Sequence, residues 1–126
     1  MKVRVYYEDT DVGGIVYHAN YLKFCERSRS ELFFQENQSP YFDEGEFVVL
    51  TLQAKFKSSA KLGDMLDVRT HLLKLNRSFL VLNQCVYKDN VLLFEMEVKL
   101  GFLKEGSIAR LSEASQVNLH KLFGGN

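Results

Sequence analysis

Two aspartates, two adjacent glycines, a histidine and three tyrosines fall within fifteen positions, Tyr7-Glu8-Asp9-Thr10-Asp11-Val12-Gly13-Gly14-Ile15-Val16-Tyr17-His18-Ala19-Asn20-Tyr21. An aspartate with an ordinary pKa of about 3.9 is ionised near neutrality, and can attack a carbonyl carbon or draw a proton from water. Asp9 and Asp11 therefore read as two turn formers bonded to local amides, or as a pair in which one is the reactive carboxylate; spacing alone does not choose. Gly13-Gly14 ahead of a helix start would let an acyl group approach the backbone, and free N–H groups at a helix N-terminus favour negative charge. Aimed at a thioester carbonyl, such amides form an oxyanion hole, in which one lost donor typically costs about 2.7–4 kcal/mol. The same glycine pair also suits a plain left-handed turn. His18 reads as a catalytic imidazole or as a capping and orienting group. Tyr7 reads as a hydrogen-bond partner of the carboxylate or as a strand core residue. Lys55, Lys57 and Lys61 solvate the surface, or meet a phosphate-bearing substrate.

Other chemistries find less support. The glycines match neither GxxxxGK[ST] nor GxGxxG. Cys25 follows His18 by seven residues, about 10 Å of helical rise, too far for a thiolate–imidazole pair, so it reads as core. His71 and His120 lack zinc-site spacing, and no metal is expected.

The elements that must position this stretch follow from periodicity. Residues 3–7 alternate as a short strand. From about Ala19 to about Glu36 the apolar residues Tyr21, Phe24, Cys25 and Leu32 recur at helical spacing, with Leu22, Phe33 and Phe34 widening the apolar surface. Asn20 is the expected N-cap, and Pro40 and Gly45 bracket an irregular connection. Four alternating segments follow, Leu50 to Lys57, Leu66 to Leu72, Phe79 to Tyr87 and Leu92 to Phe102, broken at Gly63-Asp64, Asn76-Arg77 and Asp89-Asn90. They read as an antiparallel meander. Ser112 is expected to cap a last helix ended by Gly124-Gly125. A helix laid across one sheet face, an α+β layer arrangement, packs these elements economically. The other face and the free edges then call for an oligomer.

Composition narrows the class. The 126 residues suit one domain, 1–126, with 46% hydrophobic and 25% charged residues. Sixteen basic residues balance sixteen acidic ones, so no nucleic-acid footprint shows at chain level. No apolar run approaches the roughly 20 residues of a transmembrane span, and no signal peptide is read. Two isolated cysteines fit a reducing compartment, and a cytoplasmic location is expected.

The run Tyr7-x-Asp9-Thr10-Asp11-x-x-Gly14-Ile15-Val16-Tyr17-His18-x-Asn20-Tyr21 resembles the signature of the 4-hydroxybenzoyl-CoA thioesterase-like branch of the hotdog fold, and Ala60-Lys61-Leu62-Gly63-Asp64 is similar to a turn of the same family. Within it, the chain is most similar to the acyl-CoA thioesterases encoded with the Tol–Pal envelope system of Gram-negative bacteria. The resemblance implies a hotdog, a long central helix wrapped by a curved antiparallel sheet of five to six strands. It also implies a homodimer or homotetramer with active sites at subunit interfaces, and hydrolysis of acyl-CoA with no cofactor beyond the coenzyme A of the substrate. Asp11 takes the catalytic position as base or nucleophile, the His18 backbone amide polarises the thioester, and Tyr7 and the His18 side chain assist. Gly14, Ile15, Val16, Tyr17, Asn20, Lys57 and Lys61 fall at substrate-binding positions. Ser58-Ser59 stands where relatives often carry proline. The alternatives are a hotdog dehydratase or isomerase on acyl thioesters, and a non-catalytic protein that binds acyl-CoA or acyl carrier protein beside envelope or phospholipid enzymes.

Overall fold

A computed structural model describes residues 1–124. In chain order the elements are β1 (Lys2–Arg4), a single 3-10 turn (Tyr7–Asp9), α1 (Asn20–Phe34), β2 (Glu46–Phe56), β3 (Met65–Leu75), β4 (Phe79–Lys88), β5 (Val91–Lys104), β6 (Ser107–Ile108) and α2 (Glu113–Phe123). The strands form one antiparallel sheet in the order β1-β3-β4-β5-β2, and β6 pairs with the end of β5.

Three expectations are corrected. The first strand stops at Arg4 instead of Tyr7, because the Asp9 carboxylate accepts the Tyr6 N–H at 2.9 Å and the Asp9 N–H returns to the Tyr6 carbonyl at 3.0 Å, curling the chain into the 3-10 turn. The helix is capped at Ala19 with no side-chain cap bond, and Asn20 is its first residue; the Asn20 amide instead reaches back to the Asp9 carbonyl at 2.9 Å. The meander holds only for β3, β4 and β5. β2 pairs with β5, Phe56 opposite Phe94 and Phe47 opposite Phe102, because both sides of β3 are occupied, by β4 and β1. The connection from β2 to β3 is thus a long excursion over the start of α1, and this excursion builds the site.

Other readings hold. Asp89 and Asn90 adopt φ of 49° and 66°, the left-handed pair that a two-residue hairpin requires. Glu105 and Gly106 make the same turn before β6, a strand too short for periodicity to reveal. Ser112 caps α2 through its hydroxyl, which accepts the Ser115 N–H at 3.1 Å. The expected stop at Gly125 lies outside the described residues.

The core lies between α1 and the concave sheet face. Tyr21, Phe24, Cys25 and Phe33 of α1 meet Leu66 and Val68 of β3, Leu80, Leu82 and Val86 of β4, and Phe94, Met96, Val98, Leu100 and Phe102 of β5. Phe34, expected to extend that surface, is 53% exposed. One inward position of β4 is polar. Gln84, fully buried, donates to the Cys25 carbonyl and Thr70 Oγ1, each at 2.9 Å, and accepts from Arg29 Nη1 at 2.9 Å, so its desolvation is offset bond by bond. The inner-face residues of β2 are less covered: Val49, Leu52 and Phe56 stay partly exposed, and β2 pairs with no strand on its other side among the described residues.

Candidate active site

The clustered stretch is a short loop locked by its own backbone. Thr10 bridges Val16, the Asp11 N–H donates to the Ile15 carbonyl at 2.9 Å, and the Gly14 N–H donates to the Asp11 carbonyl at 3.0 Å. Closing the turn puts Gly14 at φ 78°, a left-handed conformation that strains residues with a Cβ. Asp9 and Asp11, indistinguishable by spacing, separate here. Asp9 is buried, and its carboxylate and carbonyl serve the 3-10 turn, Tyr17 N–H and Asn20. Asp11 is exposed. Its Oδ1 accepts the Gly13 N–H at 2.8 Å, while Oδ2 has no protein partner among the described residues.

The β2–β3 connection docks against this loop. Val16 N–H donates to the Ala60 carbonyl at 2.9 Å, Ile15 bridges Lys61, and the buried Ala60 donates its own N–H to the Tyr21 hydroxyl at 3.0 Å. Between the two segments and the first turn of α1 lies a cleft of about 300 Å³, lined by Asp11, Ile15, Val16, His18, Tyr21, Phe56, Lys57, Ser58 and Ser59. The His18 ring sits 4.5 Å from the Tyr17 ring and edge-on to Phe56 at 6.1 Å. The backbone N–H groups of His18 and Ala19, which precede α1, donate to no acceptor among the described residues. They are the unspent donors expected at a helix start.

The cleft thus gathers Asp11, His18, Ile15, Val16 and Lys57 of the anticipated residues. Gly14, Tyr17, Asn20 and Lys61 do not line it: Gly14 closes the loop, Tyr17 packs on His18, Asn20 ties the helix start to Asp9, and Lys61 bridges Ile15. Tyr7 is neither a strand core residue nor bonded to a carboxylate side chain; it lies 83% exposed on the 3-10 turn. Sequence reasoning assigned no site role to Tyr21, Phe56, Ser58 or Ser59. Tyr21, three positions beyond His18 at the start of α1, carried a usable signal; the other three reach the cleft only through the β2–β3 excursion. Cys25 is core, as expected, with its thiol pushed up to about 12, chiefly by burial.

Asp64 fastens the excursion. Its carboxylate accepts the Lys61 N–H at 2.8 Å and pairs with Lys88 at 2.9 Å. Burial acts to raise its pKa, but the Lys61 N–H and the Lys88 ammonium outweigh it, and the net shift is downward. A lowered carboxylate stabilises the fold fully above its unfolded value, about 3.9, and that contribution is lost as pH falls through the lower folded value. Asp64→Asn is expected to remove part of the stability that the parent loses as pH falls below about 3.9. Acid-unfolding curves of identical shape for variant and parent would contradict it.

The antiparallel sheet wrapped on one long helix defines a hotdog protein. The thioesterase superfamily matches residues 13–95, and the chain belongs to that family. The chain is 44% identical to the acyl-CoA thioesterase YbgC of Helicobacter pylori over 98% of this chain and 95% of the relative. It is 41% identical to the acyl-CoA thioester hydrolase YbgC of Escherichia coli over 76% and 75%. Among solved structures, a thioesterase from Thermus thermophilus complexed with coenzyme A and zinc superposes with a TM-score of 0.84 at 27% identity, covering 98% of this chain and 93% of that one. Among the described residues no three His, Cys, Asp or Glu side chains come together as a metal-binding group, and no helix is long and apolar enough to cross a membrane.

Proposed function

We propose that this protein hydrolyses acyl-CoA thioesters to the free acid and coenzyme A. The observation that carries the reading is the sharing of one cleft by the Asp11 carboxylate and the start of α1, where the His18 N–H has no acceptor among the described residues. Asp11 Oδ2 acts as base on a water or as nucleophile on the carbonyl carbon, with Oδ1 held by Gly13. The His18 N–H receives the oxyanion. Its imidazole, braced between Tyr17 and Phe56, orients the thioester. Ile15 and Val16 form the apolar wall, Gly14 and Asn20 hold the loop, and Lys57 with neighbouring Lys61 offers positive charge to the phosphates of coenzyme A. Tyr7, outside the cleft, is an assisting contact for the part of the substrate that leaves it.

Release of free thiol from short, long and aromatic acyl-CoAs tests the reading. Acyl carrier protein thioesters belong in the same panel. Enoyl-CoA hydration without thiol release, or tight binding without turnover, would replace it with the dehydratase or binding alternatives.

The half-covered β2 supports a homodimer. A two-fold axis perpendicular to the sheet pairs two such edges antiparallel, continuing the sheet and covering Val49, Leu52 and Phe56. Phe56 also lines the cleft, so the partner would close the site. Light scattering is expected to give twice the 14.6 kDa chain mass, or four times it for a tetramer. A fully active particle of single-chain mass would rule the arrangement out.

A further inference from the structure

Tyr21 has the position of a core residue. It begins the apolar stripe of α1, is only 3% exposed, and stacks on Phe94 with centroids 5.1 Å apart and planes 9° from parallel. Phe56 meets it edge-on at 6.0 Å. The ring is therefore fixed, and so is the place of its hydroxyl.

That hydroxyl accepts a hydrogen bond, from Ala60 N–H at 3.0 Å. A phenol oxygen that accepts still carries its own proton, and the proton needs an acceptor of its own. Burial and, less strongly, the nearby Asp64 charge raise the phenol above its ordinary value, against the opposing pull of the Ala60 bond, so the proton stays on oxygen at neutral pH. Among the described residues the Tyr21 O–H donates to no protein atom. A largely buried donor without an acceptor is unfavourable unless a ligand or solvent atom completes it. Tyr21 also lines the cleft that holds Asp11 and His18.

We propose that the Tyr21 hydroxyl is a second donor to the thioester carbonyl oxygen, beside the His18 N–H. The proposal rests on the thioesterase reading and deepens it. His18 and Tyr21 flank the start of α1 and line the same cleft. Attack at the carbonyl carbon breaks the C=O π bond and moves its electron pair onto oxygen. That oxyanion accepts from the His18 N–H and the Tyr21 O–H, and neither proton is transferred. As the pair returns to re-form C=O, the C–S bond breaks, sulfur keeps the bonding electrons, and the thiolate takes up the proton released by the attacking water. Because Ala60 occupies an acceptor site of Oη, the proton is steered away from the protein and toward the substrate.

The test is steady-state hydrolysis by Tyr21→Phe, which keeps both ring contacts, on the acyl-CoA that the parent turns over fastest. A lost oxyanion donor lowers kcat by about 10²-fold, with KM changed by less than about threefold. A hydroxyl that only anchors the Ala60 turn would raise KM and leave kcat unchanged, and that result overturns the proposal. Thermal melting shows whether the variant is folded. Should it unfold, 3-fluorotyrosine incorporated at position 21 gives an independent reading, since fluorine strengthens the phenol as a donor and weakens it as an acceptor. The donor role requires kcat to be kept or raised, and the anchoring role requires looser binding. If the parent releases no thiol from any thioester, the thioesterase reading itself fails. If the parent is active and Tyr21→Phe matches it, only the Tyr21 assignment falls.

Discussion

Asp11→Asn is expected to abolish thioester hydrolysis at unchanged stability. The substitution preserves shape, and an asparagine oxygen still accepts the Gly13 N–H that fixes the loop. What disappears is the negative charge and basicity of Oδ2, the oxygen without a protein partner among the described residues. A positioned general base contributes about 10²–10⁴ in rate, so kcat should fall by at least two orders of magnitude. The melting temperature should hold, because Asp11 is exposed and its side chain makes one bond among the described residues, to Gly13 two positions away. Asp9→Asn supplies the contrast. It weakens the buried acceptor of the Tyr6 N–H, so its primary cost is the 3-10 turn and the Asp9 carbonyl contacts to Tyr17 and Asn20. Full activity in Asp11→Asn, alongside inactive but stable Asp9→Asn, would mean that the two aspartates have been assigned in reverse.

Phe94→Ala is expected to be the most damaging single change to the fold near the site. Phe94 is fully buried on β5, with the rings of Tyr21 and Phe56 each 5.1 Å from its own. Truncating a buried phenylalanine typically costs about 3–5 kcal/mol, the lost transfer energy plus the cavity left behind. A domain of this size has roughly 5–15 kcal/mol in total, so the variant should melt on the order of 10–20 °C lower. Activity should fall even where the variant stays folded, because two cleft-lining residues lean on the missing ring. Phe94→Leu, which refills much of the space, should recover most of both losses. A loss below about 1 kcal/mol in denaturant titration would show that α1 relaxes into the gap, and that the aromatic stack is not what fixes Tyr21.

The chain's function class was legible in one stretch because its chemistry is local. Asp9, Asp11, the glycines and His18 sit within ten residues, and a loop that closes on itself through Asp11, Gly14 and Ile15 needs no distant partner to take shape. The long helix, the β3–β4 and β4–β5 pairings and the α2 cap were equally readable, since periodicity and turn chemistry are near-neighbour properties. Pairing β2 with β5 was not, because strand order is decided by which sides remain free after the meander forms. Alternation only says which face a strand shows. That one topological choice carries the β2–β3 connection over the start of α1 and brings Phe56, Lys57, Ser58 and Ser59 to Asp11. Burial made the remaining decisions. It separated Asp9 from Asp11, left Tyr7 in solvent, and fixed the Tyr21 hydroxyl against the Ala60 N–H at the edge of the cleft. The sequence by itself determined the kind of chemistry and the loop that presents it. Tertiary structure alone decided which carboxylate is free to act and what stands opposite it, because exposure and long-range contact depend on how the whole chain packs.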